Sequence, residues 1–248
     1  MFSKIPIDRL EKIVGKDSFR IHSEKIFVSP EDTSAVSEIV ELANREKFKI
    51  LPLGSGSILD WSKLPFEDMV ILKSDRLNKV KKVLPEDLYV IIQAGFPLKD
   101  LNHHLEPFNL FYPLADASSA GTMGGAVATN LKGKFGERDI QTRQYVLALE
   151  VIDPEGQILN VGARTFKSVT GYDLPRLFVG SWGTLGFISE ISLRLMPARK
   201  RKDYLNIIFD LPKRGEIKGQ NDFKTNLSFR IKKSLDPNEV FLSFDSLA

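Results

Sequence analysis

The sequence predicts an α+β fold of two lobes: a small β-α-β lobe, and a larger lobe with a mixed, mainly antiparallel sheet and helices. Strand-like and helical stretches mix without the regular β-α alternation of a doubly wound sheet. An Asp-Pro-Glu-Gly turn at 153–156 separates two apolar runs, as in a β-hairpin. The 248 residues are enough for one large domain or two lobes, and no internal repeat is present.

The small lobe begins with a short strand predicted over 26–29. A helix follows, with Asp32 or Thr33 as its N-cap. One face of this helix is apolar at the spacing i, i+3, i+4, i+7, through Val36, Ile39, Val40 and Ala43. Two further strands are predicted over 49–53 and 69–72, and a Gly-Ser-Gly-Ser loop follows the first of them directly.

The larger lobe begins with strands predicted over 80–84 and 89–94, paired around a Pro-Glu-Asp turn. Pro97 can occupy the first turn of a helix that runs to about residue 106. That helix has a buried stripe formed by Leu98, Leu101 and Leu105. A short Ala-rich helix is predicted over 126–129, and the N–H groups at its start are expected to be unpaired.

The last predicted strands of this lobe are 145–153, 157–161 and 187–196, of which the first two form the hairpin. After residue 197 the chain is basic over 198–203, then rich in charge and glycine over 212–225. These two stretches are predicted to be exposed connections around one short strand, 205–209.

The composition is that of an ordinary globular protein, with 42% hydrophobic and 27% charged residues and a net charge of only +3. The charge therefore gives no reason to expect nucleic acid as a partner. The absence of cysteine excludes disulfides, iron–sulfur ligation and thiolate zinc sites, and three histidines do not suffice for a histidine-rich metal site, so no metal is predicted. Without a transmembrane segment or signal-peptide core, a soluble, cytoplasmic protein is predicted.

Three loops of small residues are candidates for binding an anionic group, because glycine allows backbone N–H groups to approach a ligand. They are Gly54-Ser-Gly-Ser57, Thr122-Met-Gly-Gly125, and 180–186 with its three glycines. Each loop alone can be a simple turn, since a lone glycine-rich loop is a weak signal. Neither the G-x-G-x-x-G nor the G-x-x-x-x-G-K-[ST] nucleotide motif is present.

The stretch from Lys167 to Pro197, with its Gly-Tyr-Asp-Leu-x-Arg-Leu and Gly-Ser-x-Gly-Thr-Leu-Gly-x-Ile segments, carries a specific resemblance. It resembles the closing motif of the FAD-binding domain of PCMH type in the vanillyl-alcohol oxidase and glycolate oxidase flavoproteins. The similarity extends over about 26–197. It is strongest to the smaller FAD-binding subunit of glycolate oxidase, and it implies the two-lobed fold of that domain.

The resemblance implies a role for each loop in holding FAD. In the family the first loop holds the pyrophosphate, the second approaches the pyrophosphate and the isoalloxazine, and the third contacts the adenosine end. The matching residues are Gly54, Ser55, Gly56 and Ser57; then Pro113, Ser118, Ser119, Thr122, Gly124, Gly125 and Asn130, with Gly133 following; and Gly186, Phe187 and Ile188. Because the first loop has neither histidine nor cysteine, the resemblance implies noncovalent FAD.

Two positions depart from the family pattern. Ser57 stands where the family usually has threonine, and a bulkier Ile-Leu-Asp-Trp run follows it at 58–61. Trp182 stands where many members carry a polar residue.

The family's cap domain, which supplies substrate-binding and base residues, is expected to be missing here. Residues 229–241 resemble the family's C-terminal segment, which returns to the FAD domain, and only some thirty residues separate them from Pro197. The expected organisation is a small lobe over 1–77, a larger lobe over 78–200, and a reduced cap with the C-terminal segment over 201–248. A partner subunit or a second copy is expected to cover the flavin.

Three functions remain open. The first is an FAD-dependent oxidoreductase, or a subunit of one, that oxidises a small 2-hydroxy acid by hydride transfer to noncovalent flavin. The second is a flavin-binding, electron-transfer or scaffold subunit with no turnover of its own. The third is a module for another nucleotide. No catalytic base is assigned, because the family's base lies in the part that is missing.

Other polar residues have weaker claims to a function. His103 and His104 fit a solvated helix face, and Tyr172 and Asp173 fit structural roles. A charged group following the second loop could equally line the mouth of the site or be surface charge. Its members are Lys134, Glu137, Arg138, Asp139 and Arg143.

Overall fold

The computed structural model describes residues 5–59, 61, 64, 68–116, 121–163, 173–204, 206–210 and 223–243. The helices are α1 (Ile7–Val14), α2 (Thr33–Glu46), α3 (Leu101–Leu105), α4 (Met123–Ala128), α5 (Pro175–Phe178) and α6 (Phe223–Leu235). The strands are β1 (Phe19–His22), β2 (Lys25–Val28), β3 (Lys49–Leu53), β4 (Met69–Lys73), β5 (Val80–Leu84), β6 (Tyr89–Gln93), β7 (Leu110–Phe111), β8 (Lys132–Phe135), β9 (Arg138–Gln141), β10 (Val146–Ile152), β11 (Ile158–Gly162), β12 (Phe187–Arg194), β13 (Met196–Pro197) and β14 (Ile208–Asp210).

The first sheet has the strand order β1-β2-β4-β3, with β2 and β3 parallel to β4 and β1 antiparallel to β2. Helix α2 forms the crossover, and its predicted apolar face is fully buried. Asp32 is the N-cap, because its carboxylate accepts a hydrogen bond of 2.8 Å from the backbone N–H of Ala35. The β-α-β unit is confirmed, and β1 is a strand that the sequence prediction missed.

The second sheet is antiparallel throughout, in the order β11-β10-β12-β6-β5. The predicted hairpin and the pairing of β5 with β6 are confirmed. Central strand β12 is buried along nearly its whole length. Its Phe187 joins the core beneath α2, whereas Ile188 and Ile191 join the core on the other face, which includes α4. The second sheet is therefore covered on both faces, and its central strand β12 lies between the two cores.

A polar link joins α2 to the second sheet. The Thr33 hydroxyl donates to a carboxylate oxygen of Glu150 over 2.9 Å, and the Ser189 hydroxyl donates to the same oxygen over 2.8 Å. Glu150 and Ser189 lie on neighbouring strands β10 and β12. The link fixes the start of α2 relative to the sheet, because one carboxylate oxygen accepts from both sides.

A third sheet, β14-β8-β9, differs from the prediction for this region. Strand β14 begins at Ile208 rather than at 205, and residue 205 lies outside the described part. The basic stretch predicted as a connection forms the 3-10 helix Ala198–Tyr204. Of the second predicted connection, 223–225 belong to α6, and the rest lies outside the described residues. Charge composition did not distinguish an exposed helix from a loop.

The segment after α6 returns to the edge of β3. The backbone N–H of Ile50 donates to the carbonyl of Val240 over 2.7 Å, and the N–H of Leu242 donates to the carbonyl of Ile50 over 3.1 Å. Phe241 lies between them in a parallel bridge with Ile50 and is fully buried. The segment therefore extends the first sheet at the edge of β3, and β3 is the strand that leads into the Gly54 loop.

A buried ion pair holds this returning segment. Lys232 pairs with Asp236, and its ammonium also donates to the carbonyl of Phe241 over 2.8 Å. The Asp236 carboxylate accepts from the N–H groups of Val240 at 2.8 Å and Phe241 at 2.9 Å. Burial lowers the pKa of Lys232, while its bond to Asp236 opposes that shift. The pair is stabilising only while both partners are present, since either charge alone would be buried without compensation.

Candidate functional site

The first loop, Gly54–Ser57, begins where β3 ends. Gly56 has φ +73°, a backbone conformation that favours glycine, and a Cβ there would lie 3.0 Å from the ring of Trp61. Within the described part of the chain, the backbone N–H groups of Gly54, Ser55 and Gly56 donate no hydrogen bond. Three neighbouring donors without a protein acceptor are the arrangement that suits an anionic ligand.

The second loop leads into α4, and here one expectation is wrong. The helix begins at Met123, three residues earlier than predicted, and its first N–H groups are already paired. Met123 donates to the carbonyl of Phe96 over 2.9 Å, and Gly124 donates to the carbonyl of Ala94 over 2.7 Å. Gly125 donates to the hydroxyl of its N-cap, Thr122, over 3.2 Å. The start of α4 docks on the chain that follows β6, so α4 positions the site rather than offering free donors.

Close packing brings the first two loops together. A Cβ on Gly54 would collide with the Thr122 hydroxyl, and a Cβ on Gly121 would collide with the Ser55 hydroxyl. A Cβ on Gly124 would lie 2.7 Å from the Cβ of Ala94. Small residues are therefore required at this junction for steric reasons, apart from any contact with a ligand.

The third loop, residues 180–186, lies between α4 and β3 in space and contacts both. Its Gly180 N–H donates to the carbonyl of Val127 over 3.1 Å, and its Trp182 N–H donates to the carbonyl of Ala128 over 2.9 Å. Gly183 has φ +74°, and a Cβ there would lie 3.1 Å from the Cβ of Pro52. The three loops, distant in sequence, thus meet around α4 and the end of β3.

Together the loops line one cleft of about 110 Å³. The predicted site residues that line it are Gly54, Ser55, Gly56, Ser57, Thr122, Gly124, Gly125, Gly186, Phe187 and Ile188. Ligand pockets usually measure about 300–1,000 Å³, so the cleft encloses only part of a dinucleotide-sized ligand. None of the described lining residues carries a titratable side chain. Anion binding here depends on backbone dipoles and hydroxyls.

The remaining predicted site residues lie elsewhere. Pro113 is buried and is absent from the lining. Asn130, at φ +49°, accepts from the backbone N–H of Arg143 over 3.1 Å and donates to Gln141 over 3.1 Å, so its side chain fixes the turn after α4. Ser118 and Ser119 lie outside the described residues. Direct ligand contact by these residues stays a prediction.

Several lining residues were not among the predicted site residues. Ser74 and Ala94 are both buried and contribute from the ends of β4 and β6, and Ile58, Leu59 and Trp182 contribute larger apolar surface. A signal for the first pair was available, since Ala94 is the last residue of the strand predicted over 89–94 and Ser74 lies two residues after the strand predicted over 69–72. No sequence pattern indicates that those two strand ends lie beside the same cleft.

The other polar candidates are not part of the cleft. His103 and His104 are exposed on α3, as expected. Asp173 forms an ion pair with Arg176, with 2.6 Å between Oδ2 and Nε, while Tyr172 lies outside the described residues. The charged group around β8 and β9 does not line the cleft either.

The cleft fits the FAD that the resemblance implies. The N–H groups of Gly54, Ser55 and Gly56, which donate to no acceptor among the described residues, can hold the pyrophosphate, whose two negative charges need donors more than cations. The small lining residues Gly124, Gly125 and Ala128 leave room for a flat ring to approach α4. Apolar walls with a few polar groups are typical of cofactor sites.

Comparison with known sequences defines the class of protein. The model of the FAD binding domain family matches residues 25–162, more than half of the chain. The chain therefore belongs to this family of FAD-binding domains, and the cofactor of the family is FAD.

Individual relatives include longer oxidoreductases. The mitochondrial cytochrome-dependent D-lactate dehydrogenase of Arabidopsis thaliana is 36% identical over 170 residues, which cover 68% of this chain and 30% of the relative. The glycolate oxidase subunit GlcD of Bacillus subtilis (strain 168) is 35% identical over 185 residues, which cover 74% of this chain and 39% of the relative. The mitochondrial D-2-hydroxyglutarate dehydrogenase of Danio rerio is 34% identical over 189 residues, which cover 75% of this chain and 35% of the relative. This chain matches well under half the length of these relatives.

No helix among the described residues has the length and apolar character needed to cross a membrane.

Proposed function

We propose that this chain is the FAD-binding part of an oxidoreductase that oxidises a small 2-hydroxy acid, either alone or as a subunit. The observation that carries the proposal is one cleft lined by all three glycine-containing loops, together with the N–H groups of Gly54–Gly56, which donate to nothing in the described part of the chain. The family assignment supports FAD as the ligand.

In this proposal the residues of the cleft bind and orient the cofactor. The N–H groups of Gly54, Ser55 and Gly56 hold the pyrophosphate, while Thr122 fixes the first loop against α4. Phe187 and Ile188 provide apolar surface and exclude water. FAD, when bound, would supply a two-electron hydride acceptor for the oxidation of the 2-hydroxy acid to a 2-oxo acid.

The substrate class is inferred from the names of relatives. The relatives named above are a D-lactate dehydrogenase, a glycolate oxidase subunit and a D-2-hydroxyglutarate dehydrogenase, and each name refers to a 2-hydroxy acid. A shared C2 hydroxyl beside a carboxylate is therefore the chemistry we assign to the substrate of this chain.

A partner subunit or a second copy completes the site in this proposal. A general base is needed to accept the proton of the substrate hydroxyl, and the described cleft lining contains no titratable side chain. The proposed organisation is a small lobe over 1–77, a larger lobe over 78–200, and a reduced cap with the C-terminal segment over 201–248.

A second function, a flavin carrier or electron-transfer subunit without turnover, has support of its own. The same lack of a titratable group in the described lining favours it, because binding and electron transfer need no base. The two proposals share the cofactor and differ only in whether substrate is oxidised by this chain.

An absorbance spectrum of the purified chain, before and after FAD is added, tests the shared part. We expect bands near about 370 and 450 nm that remain with the protein through gel filtration. A colourless protein that takes up no FAD would overturn both proposals. Displacement of FAD by equimolar ADP would instead support a site for another nucleotide, since a flavin site gains affinity from more than the adenylate half.

Dye reduction then separates the two proposals. The FAD-loaded chain is supplied with D-lactate, glycolate or D-2-hydroxyglutarate as the sole electron donor. Reduction of the dye by the chain alone establishes the oxidoreductase. If the flavin stays oxidised with every donor while remaining bound, the carrier function is supported.

A further inference from the structure

Trp182 has a backbone conformation that is unusual for its residue type. Its φ of +56° lies in the left-handed region, where a bulky side chain is a true outlier. Its neighbours Gly180 and Gly183 also have positive φ, and glycine would fit the Trp182 position without strain. Such strained residues are concentrated at ligand sites, where surrounding structure holds them in place.

The surroundings of Trp182 hold it at the wall of the cleft. Its N–H is fixed to the carbonyl of Ala128 over 2.9 Å. Its side chain is half-buried and packs against the apolar cluster that contains Leu51, Leu53 and Leu242. The same residue lines the cleft beside Gly183 and Gly186. Trp182 is thus supported by the core and is also part of the cleft lining.

We propose that Trp182 stacks on a flat heteroaromatic ring of the bound ligand, and this inference rests on the FAD binding proposed above. An indole face attracts such a ring through apolar contact and π-stacking. The residues of α4 that line the same cleft, Gly124, Gly125 and Ala128, are small, so they leave space for a planar group in the cleft that Trp182 also lines. Adenine and isoalloxazine share this chemistry, and the ligands used in the test distinguish them.

The first test compares three substitutions at position 182 by FAD titration calorimetry. W182F keeps an aromatic face and is expected to bind FAD within about threefold of the parent. W182L keeps apolar volume without a π-face, and W182G removes the side chain while relieving the backbone strain. Stacking on an aromatic side chain contributes about 1–3 kcal/mol per base, so both should bind about 5- to 150-fold more weakly.

Two shorter ligands identify the ring. If Trp182 stacks on adenine, W182L and W182G weaken ADP binding as much as FAD binding and leave FMN binding unchanged. If it stacks on isoalloxazine, FMN binding is weakened and ADP binding is unchanged. Equal FAD affinity of W182L, W182G and the parent overturns the inference, even though the parent binds FAD.

A direct measurement covers the case in which W182L and W182G fail to fold. The chain has two tryptophans, so W61F leaves Trp182 as the only one. Trp61 does not line the cleft, and the FAD affinity of W61F is measured first. We expect bound FAD to shield the Trp182 indole from acrylamide, measured on the tryptophan emission that remains in the complex. Unchanged access in a variant that binds FAD overturns the inference, whereas a parent that binds no FAD overturns the proposed function together with it.

Discussion

The hydroxyl of Thr122 fills the space in which a Cβ atom on Gly54 would lie. The same hydroxyl accepts the N–H of Gly125 and so caps α4. One side chain therefore joins the loop after β3 to the first turn of α4, and any change at Gly54 acts on both.

Gly54→Ala is expected to weaken FAD binding because the added methyl group must displace Thr122. Overpacking of this kind costs about 1–3 kcal/mol, which corresponds to about 5- to 150-fold in affinity if the loop moves out of its binding position. Calorimetric titration of FAD measures the effect.

Gly136→Ala is the matched control. Gly136 lies in the turn between β8 and β9, has φ +56°, and a Cβ there would meet nothing within 4 Å. Its cost is backbone strain of about 1–2 kcal/mol in stability, with no change in FAD affinity. Equal FAD affinities for the two alanine variants would contradict a role for the Gly54–Thr122 contact.

Thr122→Val should release the cap of α4 while keeping the shape of the side chain. Loss of an N-cap acceptor costs about 0.5–2 kcal/mol of stability, which urea unfolding can measure. Thr122→Ser retains the hydroxyl and is expected to remain close to the parent. A valine variant as stable as the serine variant would show that the hydroxyl contributes nothing.

Lys232→Met should destabilise the protein strongly, because the Asp236 carboxylate stays buried without its cation. Removal of one partner from a buried pair costs about 3–5 kcal/mol in the free energy of unfolding. Lys233→Met, at the exposed neighbouring position, is the control and should change stability by less than about 0.5 kcal/mol. Similar unfolding midpoints for the two variants would refute the importance of the pair.

The raised pKa of Tyr145 predicts that the protein loses stability at alkaline pH. Burial, reinforced by Tyr204 and partly opposed by Arg194, raises the pKa of Tyr145 to about 12. Between about pH 10 and 12 the unfolded chain loses the tyrosine proton while the folded chain keeps it, so stability falls as pH rises. The contribution of this group is up to about 3 kcal/mol by the top of that window.

Tyr145→Phe should flatten this decline. Stability is measured by urea unfolding at pH 8, 10 and 11 for both proteins, so other titrating groups, including Lys232, contribute equally. Burial also raises the pKa of Tyr112, which packs edge-to-face on Tyr145 with 5.4 Å between ring centroids, so part of the decline remains. Parallel stability profiles for the two proteins would contradict the assignment to Tyr145.

Local signals predicted much of the fold. The Asp32 cap located the start of α2, and the turn at 153–156 located the hairpin of β10 and β11, because each depends on neighbouring residues alone. The hydrogen bonds from the start of α4 to the carbonyls of Ala94 and Phe96 were not predictable in this way. They form only when two segments about thirty residues apart in the sequence pack together, and no residue pattern at 122–125 indicates them.

Composition did not predict the secondary structure of the strongly charged stretch. Charged residues are dense after residue 197, so the helices and β14 there carry a weak periodic signal, and tertiary contacts accompany them. One such contact is the stacking of Tyr204 on Phe135, with 5.7 Å between ring centroids. For the site, the resemblance pointed to three loops that line one cleft, whereas Ser74 and Ala94 required the arrangement of strand ends.

The strand segment beside Ile50 is translated long after Ile50 itself. About 190 residues separate the two, so at roughly 5–20 residues per second the ribosome delivers Val240–Leu242 some 10 to 40 s later. During that interval the edge of β3 has no neighbour on this side, and an open strand edge is a template for aggregation. Until the segment at 240–242 is available, the nascent protein therefore carries an open strand edge beside the loop that begins at Gly54.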